Sequence, residues 1–311
     1  MKPEIIQFCP QLPGLEAALA ERFTVHRFFE SKDPEGFLAR HAGAIRGLVT
    51  GAHLGLPPDL GARLPALEIV AINGVGFDKV DLVEARRRGV RVTNTPDVLT
   101  EDVADFAIGL SIALLRQIVR GDAFVRAGQW PGGTLPFGVK VSRRRFGIFG
   151  LGRIGRAIAR RLEGFDAQIA YCGRTRQDVP YDFEPTPLAL AARSDVLVLA
   201  AAASAETRNV IDRPVMDALG PSGVIVNVAR GALVDEPALL AALQEGRLGG
   251  AALDVFADEP RVPDGFFGLS NVVLAPHMGS ATGETRQAMA DLVLANLVAH
   301  FSGEALPTAV V

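Results

Sequence analysis

The sequence predicts an α/β protein of two doubly wound, Rossmann-like domains with a cleft between them. Three observations carry that expectation. Short apolar runs alternate with helix-period segments through most of the 311 residues. A glycine motif, Gly150-Leu151-Gly152-Arg153-Ile154-Gly155, stands between an apolar run and a helical pattern. A long helix-period segment at 101–120 separates two such alternating regions, as a connector between two lobes does.

In chain order, residues 1–98 offer strand candidates at 5–8, 45–49 and 67–72, with helix candidates at 12–22, 34–40 and 80–88 between them. The third strand runs into Asn73-Gly74-Val75-Gly76-Phe77-Asp78. Such a loop exposes backbone N–H groups, those of Val75 and Gly76 among them, that can hold a carboxylate. It reads equally well as a plain turn into a helix capped by Asp78. After Thr95-Pro96-Asp97, Thr100 is placed to cap the connecting helix, with Glu101 and Asp102 in its first turn. Residues 128–140 are rich in glycine and proline, hold the single tryptophan, Trp130, and read as a long loop.

From 145 onward, strands are expected at 145–149, 168–171, 195–199, 224–227, 251–254 and 271–274. Helices are expected at 152–163, 186–192, 212–219 and 235–245, and a last long one begins at Thr282. The glycine motif sits in a strand–turn–helix–strand context of about thirty residues, which is what makes it specific. Gly150 permits the tight turn, Gly152 lets backbone N–H groups approach a pyrophosphate, and Gly155 lets the helix lie close to the strand. Arg153 and Ile154 open that helix, whose N-terminus presents unpaired N–H groups to the phosphates.

Composition narrows the function. Hydrophobic residues make up 49% and charged residues 22%, as in a globular protein with a sizeable core, and the formal net charge is −3. That balance gives no electrostatic reason to expect nucleic acid or an anionic membrane as partner. The longest apolar stretch, 196–203, is too short to span a bilayer. The opening residues hold no signal-peptide core, so a cytoplasmic location is expected. Cys9 and Cys172, the two cysteines, lack zinc-type spacing, and no disulfide framework or metal site is expected.

The ends of three late strands carry the chemistry. One runs into Arg230-Gly231, one into Asp258-Glu259-Pro260, one into Pro276-His277-Met278-Gly279. Ligands of open α/β sheets sit outside the carboxyl ends of strands. Arginine meets a carboxylate bidentately, histidine exchanges a proton near neutral pH, and a neighbouring carboxylate orients it. Each residue alone has a bland reading: a cap, a turn, an exposed loop histidine. Downstream of a dinucleotide fingerprint, the set reads better as one site. The other histidines, His26, His41, His53 and His300, lack such company, and His300 reads as a surface residue.

Three segments resemble those of the D-isomer-specific 2-hydroxyacid dehydrogenases. They are Val226-Asn227-Val228-Ala229-Arg230-Gly231-Ala232-Leu233-Val234-Asp235-Glu236, Leu253-Asp254-Val255-Phe256-Ala257-Asp258-Glu259-Pro260 and Pro276-His277-Met278-Gly279-Ser280-Ala281-Thr282. The loop from Asn73 to Asp78 and the helix start Thr100-Glu101-Asp102-Val103-Ala104-Asp105 are similar to further parts of that family, in the same order. The resemblance implies a discontinuous substrate-binding domain, 1–98 plus 283–311, around a cofactor domain at 99–282, and a homodimer. It implies that Arg230, with the N–H groups of Val75 and Gly76, holds a 2-oxo acid. His277 would then donate a proton to the carbonyl oxygen, Glu259 would keep His277 protonated and aligned, and Asp254 would touch the nicotinamide side.

The coenzyme expectation comes from the residues. A carboxylate after the second strand of the fingerprint usually accepts from the ribose of NAD. Here the chain reads Tyr171-Cys172-Gly173-Arg174-Thr175-Arg176-Gln177, and the first acid is Asp178. Arg174, Thr175 and Arg176 suit a 2′-phosphate. NADP(H) is therefore expected ahead of NAD(H), and the segment resembles the glyoxylate/hydroxypyruvate and hydroxyphenylpyruvate reductase branch. The competing expectations are an NAD-linked phosphoglycerate dehydrogenase and, from another class, a dinucleotide-sensing corepressor.

Overall fold

A computed structural model describes residues 2–311. Twelve strands are named among the described residues: β1 (Glu4–Gln7), β2 (Thr24–Arg27), β3 (Ile45–Gly51), β4 (Ile69–Asn73), β5 (Arg91–Thr93), β6 (Arg145–Phe149), β7 (Gln168–Cys172), β8 (Asp182–Glu184), β9 (Val196–Leu199), β10 (Val224–Asn227), β11 (Gly250–Leu253) and β12 (Val272–Leu274). The helices are α1 (Pro13–Arg22), α2 (Pro34–His41), α3 (Pro58–Ala62), α4 (Leu82–Arg88), α5 (Thr100–Leu115), α6 (Ile118–Arg126), α7 (Arg153–Glu163), α8 (Pro187–Ala192), α9 (Arg213–Leu219), α10 (Glu236–Gln244) and α11 (Gly283–Ser302). The chain divides into two compact units, 1–99 with 281–311, and 100–280.

The first unit holds a five-stranded parallel sheet in the order β2-β1-β3-β4-β5. Strand side chains alternate between faces, and the two faces bury different helices. Ile5, Val49, Ile69 and Ala71 pack with Leu15 and Leu19 of α1 and with Val293 and Leu297 of α11. Ile6, Leu48, Val70 and Ile72 pack with Leu38 of α2, Leu60 of α3 and Ala85 of α4. The end of the chain returns to β5: Val310 N–H donates to Val92 at 2.7 Å and the Val92 N–H to Val311 at 3.3 Å. That tail covers an edge which would otherwise expose unpaired backbone groups.

The second unit holds seven parallel strands in the order β12-β11-β10-β9-β6-β7-β8. Strand order reverses beside β6, so the glycine turn after β6 lies at the switch point where doubly wound sheets bind ligands. Leu197, Leu199, Ile225, Ala251 and Leu253 meet Leu190 of α8, Met216 of α9 and Leu239 of α10 in one core. Arg160 and Arg161 of α7 pair with Glu101 of α5, and Arg161 also with Asp105, which ties α5 to α7.

The structure departs from the sequence expectations at several points. The single helix expected at 101–120 is two, because Gln117 adopts a left-handed φ of 54° and donates from its side chain to the carbonyls of Pro136 and Phe137. Thr100 is the first residue of α5 rather than its cap. Asp81, not Asp78, caps α4, accepting from the N–H groups of Val83 and Glu84. His300 is largely covered and lies 3.2 Å from Glu68, so it is no plain surface residue. β2, β5, β8 and α3 went unread because they are short, and β2 and β8 are edge strands without a strong apolar alternation.

Candidate active site

The glycine turn shows three different employments for its three glycines. Gly150 has φ +97°, and a Cβ there would meet the Ala201 backbone at 2.5 Å. A Cβ at Gly155 would meet the Gly150 carbonyl oxygen at 2.0 Å, so only glycine lets α7 lie this close to the turn. A Cβ at Gly152 would meet nothing within 4 Å, which leaves the side that a phosphate would approach open. Gly152 is the N-cap of α7 and no side chain caps that helix end, so its first N–H groups are left for an anion. Ile154 is half-buried and Arg153 exposed. This cradle fits a dinucleotide pyrophosphate.

Beyond β7, Arg174, Thr175 and Arg176 are exposed, and no hydrogen bond or ion pair within the described residues occupies either guanidinium. Gln177 holds the loop in place. Its N–H donates to the Tyr171 hydroxyl at 2.6 Å, and its side-chain amide donates to the Leu151 carbonyl at 3.1 Å. The loop bearing the two arginines is therefore fastened to the glycine turn. Cys172 is buried beside it, its thiol pushed up to about 11 by burial with a further contribution from Glu184.

At the carboxyl ends of the adjacent strands β10, β11 and β12 the expected trio comes together. His277 Nδ1 and Glu259 Oε2 are 2.6 Å apart, and Glu259 Oε1 accepts the Phe256 N–H at 3.0 Å. Burial raises the Glu259 carboxyl. The hydrogen bond and charge of His277, the Phe256 N–H and the Arg230 guanidinium outweigh it and hold the carboxyl below its usual range. An ionised Glu259 requires the hydrogen on Nδ1, which leaves Nε2 as the atom for proton exchange. His277 sits at φ +53°, a conformation that costs an L-residue about 1–2 kcal/mol. Asp254 braces it there: its oxygens accept from the Met278 N–H at 2.7 Å and the Gly279 N–H at 2.8 Å, and its carbonyl accepts the His277 N–H at 2.8 Å. Asp254 is 2% exposed, and burial lifts its carboxyl although both N–H groups work against the rise. What the structure shows of Asp254 is thus support for the histidine turn.

Arg230 is half-buried and is presented by Asn227. The Asn227 amide donates to the Arg230 carbonyl at 3.0 Å and its oxygen accepts the Ala229 N–H at 3.0 Å. Asp235, five residues on, caps α10 by accepting the Ala238 N–H at 3.0 Å. A Cβ at Gly231 would lie 1.9 Å from the Phe256 carbonyl carbon, so the loop of Arg230 touches the backbone of the loop of Glu259.

Sequence reading missed two supports. Asn227 was visible as a polar residue ending an apolar strand. Glu236 was not: its carboxylate accepts the Ala257 N–H at 2.7 Å from a position 21 residues earlier. Burial lifts Glu236, and the charges of Asp258 and Glu259 add to the rise.

In the first unit, the loop after β4 is braced by Asn94, which donates to the Val75 carbonyl at 2.8 Å, and by Thr95, whose hydroxyl accepts the Gly74 N–H at 3.0 Å. No hydrogen bond within the described residues takes up the N–H of Val75 or Gly76.

The family profile described as D-isomer specific 2-hydroxyacid dehydrogenase, NAD binding domain, matches residues 108–279. The chain belongs to that family. It is therefore an oxidoreductase that works with a nicotinamide dinucleotide. Glyoxylate/hydroxypyruvate reductase A of Arabidopsis thaliana is 52% identical over 99% of this chain and 98% of its own length. Hydroxyphenylpyruvate reductase of Plectranthus scutellarioides is 51% identical over the same shares. Among solved structures, the NADPH-dependent glyoxylate/hydroxypyruvate reductase of Sinorhizobium meliloti, in complex with NADP and malonate, superposes with a TM-score of 0.91. It is 41% identical, covering 100% of this chain and 97% of that one.

Proposed function

We propose that this dehydrogenase reduces a small 2-oxo acid, glyoxylate or hydroxypyruvate, to the D-2-hydroxy acid with NADPH. The observation that carries the reading is the hydrogen-bonded His277–Glu259 pair beside Arg230 at the ends of three neighbouring strands. Arg230 holds the substrate carboxylate and carbonyl through its planar fork, and the N–H groups of Val75 and Gly76 receive the carboxylate. His277 gives the proton on Nε2 to the carbonyl oxygen, and Glu259 stabilises and orients the imidazolium that does so. When bound, the reduced nicotinamide supplies the hydride. Asp254 fixes the His277 turn and is proposed to border the nicotinamide.

Gly150, Gly152 and Gly155, with Arg153 and Ile154 at the start of α7, are assigned to the pyrophosphate. Arg174, Thr175 and Arg176 are assigned to the 2′-phosphate, since the two guanidiniums are exposed and otherwise unoccupied. The likeness to a reductase named NADPH-dependent supports that preference, and the likeness to a hydroxyphenylpyruvate reductase makes an aromatic 2-oxo acid the second substrate to assay. A homodimer belongs to the same reading. Trp130 is 67% and Phe137 fully exposed on the segment after α6, a lining that suits a second copy. Among the described residues no helix is long and apolar enough to cross a membrane; the location proposed is cytoplasmic.

The test is the initial rate of hydroxypyruvate reduction with NADPH beside NADH, on the wild type and on Arg174→Ala. Loss of one charge-assisted bond should raise KM for NADPH roughly 10- to 100-fold and leave NADH kinetics unchanged. Turnover with NADH alone would keep the chemistry and remove the coenzyme assignment. No turnover with either coenzyme on any 2-oxo acid would remove the reaction.

A further inference from the structure

On the edge of the first unit's sheet, three metal-ligating side chains meet that the reaction does not use. Glu4 lies on β1, His26 on β2, and His41 is the last residue of α2. In the β1–β2 register Glu4 pairs with Thr24 and Ile6 with His26. Residues two apart in a strand share a face, so Glu4 and His26 project together. Their face is the one α2 covers, since Ile6 and Leu38 belong to the same core. His26 Nε2 is 2.7 Å from Glu4 Oε2. The His26 and His41 rings lie 4.4 Å apart between centroids. One donor atom from each of the three residues can be chosen so that all lie within 4.8 Å of one another.

A histidine–carboxylate pair at a sheet edge accounts for Glu4 and His26 but not for His41. Within the described residues the His41 ring makes only ring contacts, to His26 and to Phe37 at 4.9 Å, and neither of its nitrogens has a hydrogen-bonding partner. Phe37 also meets His26 at 5.7 Å and is backed by Phe28 at 5.3 Å, so an aromatic wall closes one side. All three ligand residues are half-buried. His41 ends its helix, and the carbonyl end of a helix favours a cation.

Two imidazoles and one carboxylate are a donor set for a borderline divalent cation; magnesium and calcium require oxygen ligands instead. Around zinc, with bonds of about 2.0–2.2 Å, tetrahedral ligand atoms stand roughly 3.3 Å apart. The widest pair therefore has to close by about 1.5 Å at most, within reach of rotation at the helix-terminal His41. We propose that Glu4, His26 and His41 bind one zinc-type cation, solvent completing its shell, and that the ion pins α2 to the edge strand β2. Sequence spacing hid the site, because its ligands come from three separate elements.

The experiment uses the full chain without a polyhistidine tag, stripped with EDTA and titrated with zinc chloride by calorimetry and by thermal melting. His277→Ala serves as a second background, since His277 and Glu259 also offer two ligand atoms. The expected result is one equivalent bound in both backgrounds, with a rise in Tm that magnesium chloride does not produce. His41→Ala, at a half-buried helix end away from the reaction, should fold and retain wild-type turnover. It should lose at least tenfold in zinc affinity and lose the Tm response, and Glu4→Gln should weaken binding likewise. Zinc binding and a Tm response unaltered by His41→Ala would overturn the proposal, as would no binding in the His277→Ala background.

Discussion

At the scale of single residues, the site depends on what holds each side chain rather than on which side chains are present. His277 occupies a left-handed backbone conformation that Asp254 stabilises from three directions. His277→Ala should lower kcat by roughly 10²- to 10⁴-fold, the usual worth of a general acid, with NADPH affinity by fluorescence titration nearly unchanged. An unaltered kcat would take His277 out of the chemistry. The Glu259 carboxyl is held below its ordinary value of 4.5. The sign follows: its stabilising contribution is complete above the unfolded value and is lost as pH falls through the lower folded one. Wild type should therefore lose stability relative to Glu259→Gln as pH drops below about 4.5, measured by urea unfolding across pH. Parallel curves would show that Glu259 does not couple to folding. Asp254 and Glu236, lifted by burial, act in the opposite sense, and the stability they give is lost as pH rises through their raised values.

At the scale of elements, the β6–α7 turn separates a glycine that packing requires from one proposed to face the coenzyme. Gly155→Ala places a methyl group 2.0 Å from the Gly150 carbonyl. It should cost roughly 1–3 kcal/mol of stability through overpacking and should weaken coenzyme binding with it. Gly152→Ala meets no protein atom within 4 Å, so its Tm should stay near wild type while NADPH affinity falls. If Gly152→Ala binds NADPH normally, the pyrophosphate does not approach where the open side lies. The same element shows what pattern reading can see. The helix expected at 152–163 was legible from its pattern, and Ile158 and Leu162 of α7 are buried. The break at Gln117 was not, because that break is held by carbonyls of Pro136 and Phe137, about twenty residues on.

At the scale of the whole molecule, the exposed apolar segment after α6 leads to a prediction about assembly. Replacing Trp130 and Phe137 together by serine should convert a dimer to a monomer in analytical ultracentrifugation, and a wild-type monomer would remove the dimer from the proposed function. The sequence by itself determined the α/β class, most strands of the second sheet and the dinucleotide fingerprint, and it offered Arg230, Glu259 and His277 as the candidates that the fold brings together. These depend on local periodicity and on residue types at strand ends, which a linear reading preserves. The tertiary structure alone decided that Glu259 meets His277 through Nδ1, that Asp254 and Glu236 support the loops behind them, and that Glu4, His26 and His41 converge. Such contacts join residues from 18 to 25 positions apart around the ends of β10, β11 and β12, and three separate elements at the sheet edge. Which of many distant polar groups become neighbours is set by strand order and register, and parallel strands acquire both only when the crossover helices between them have packed.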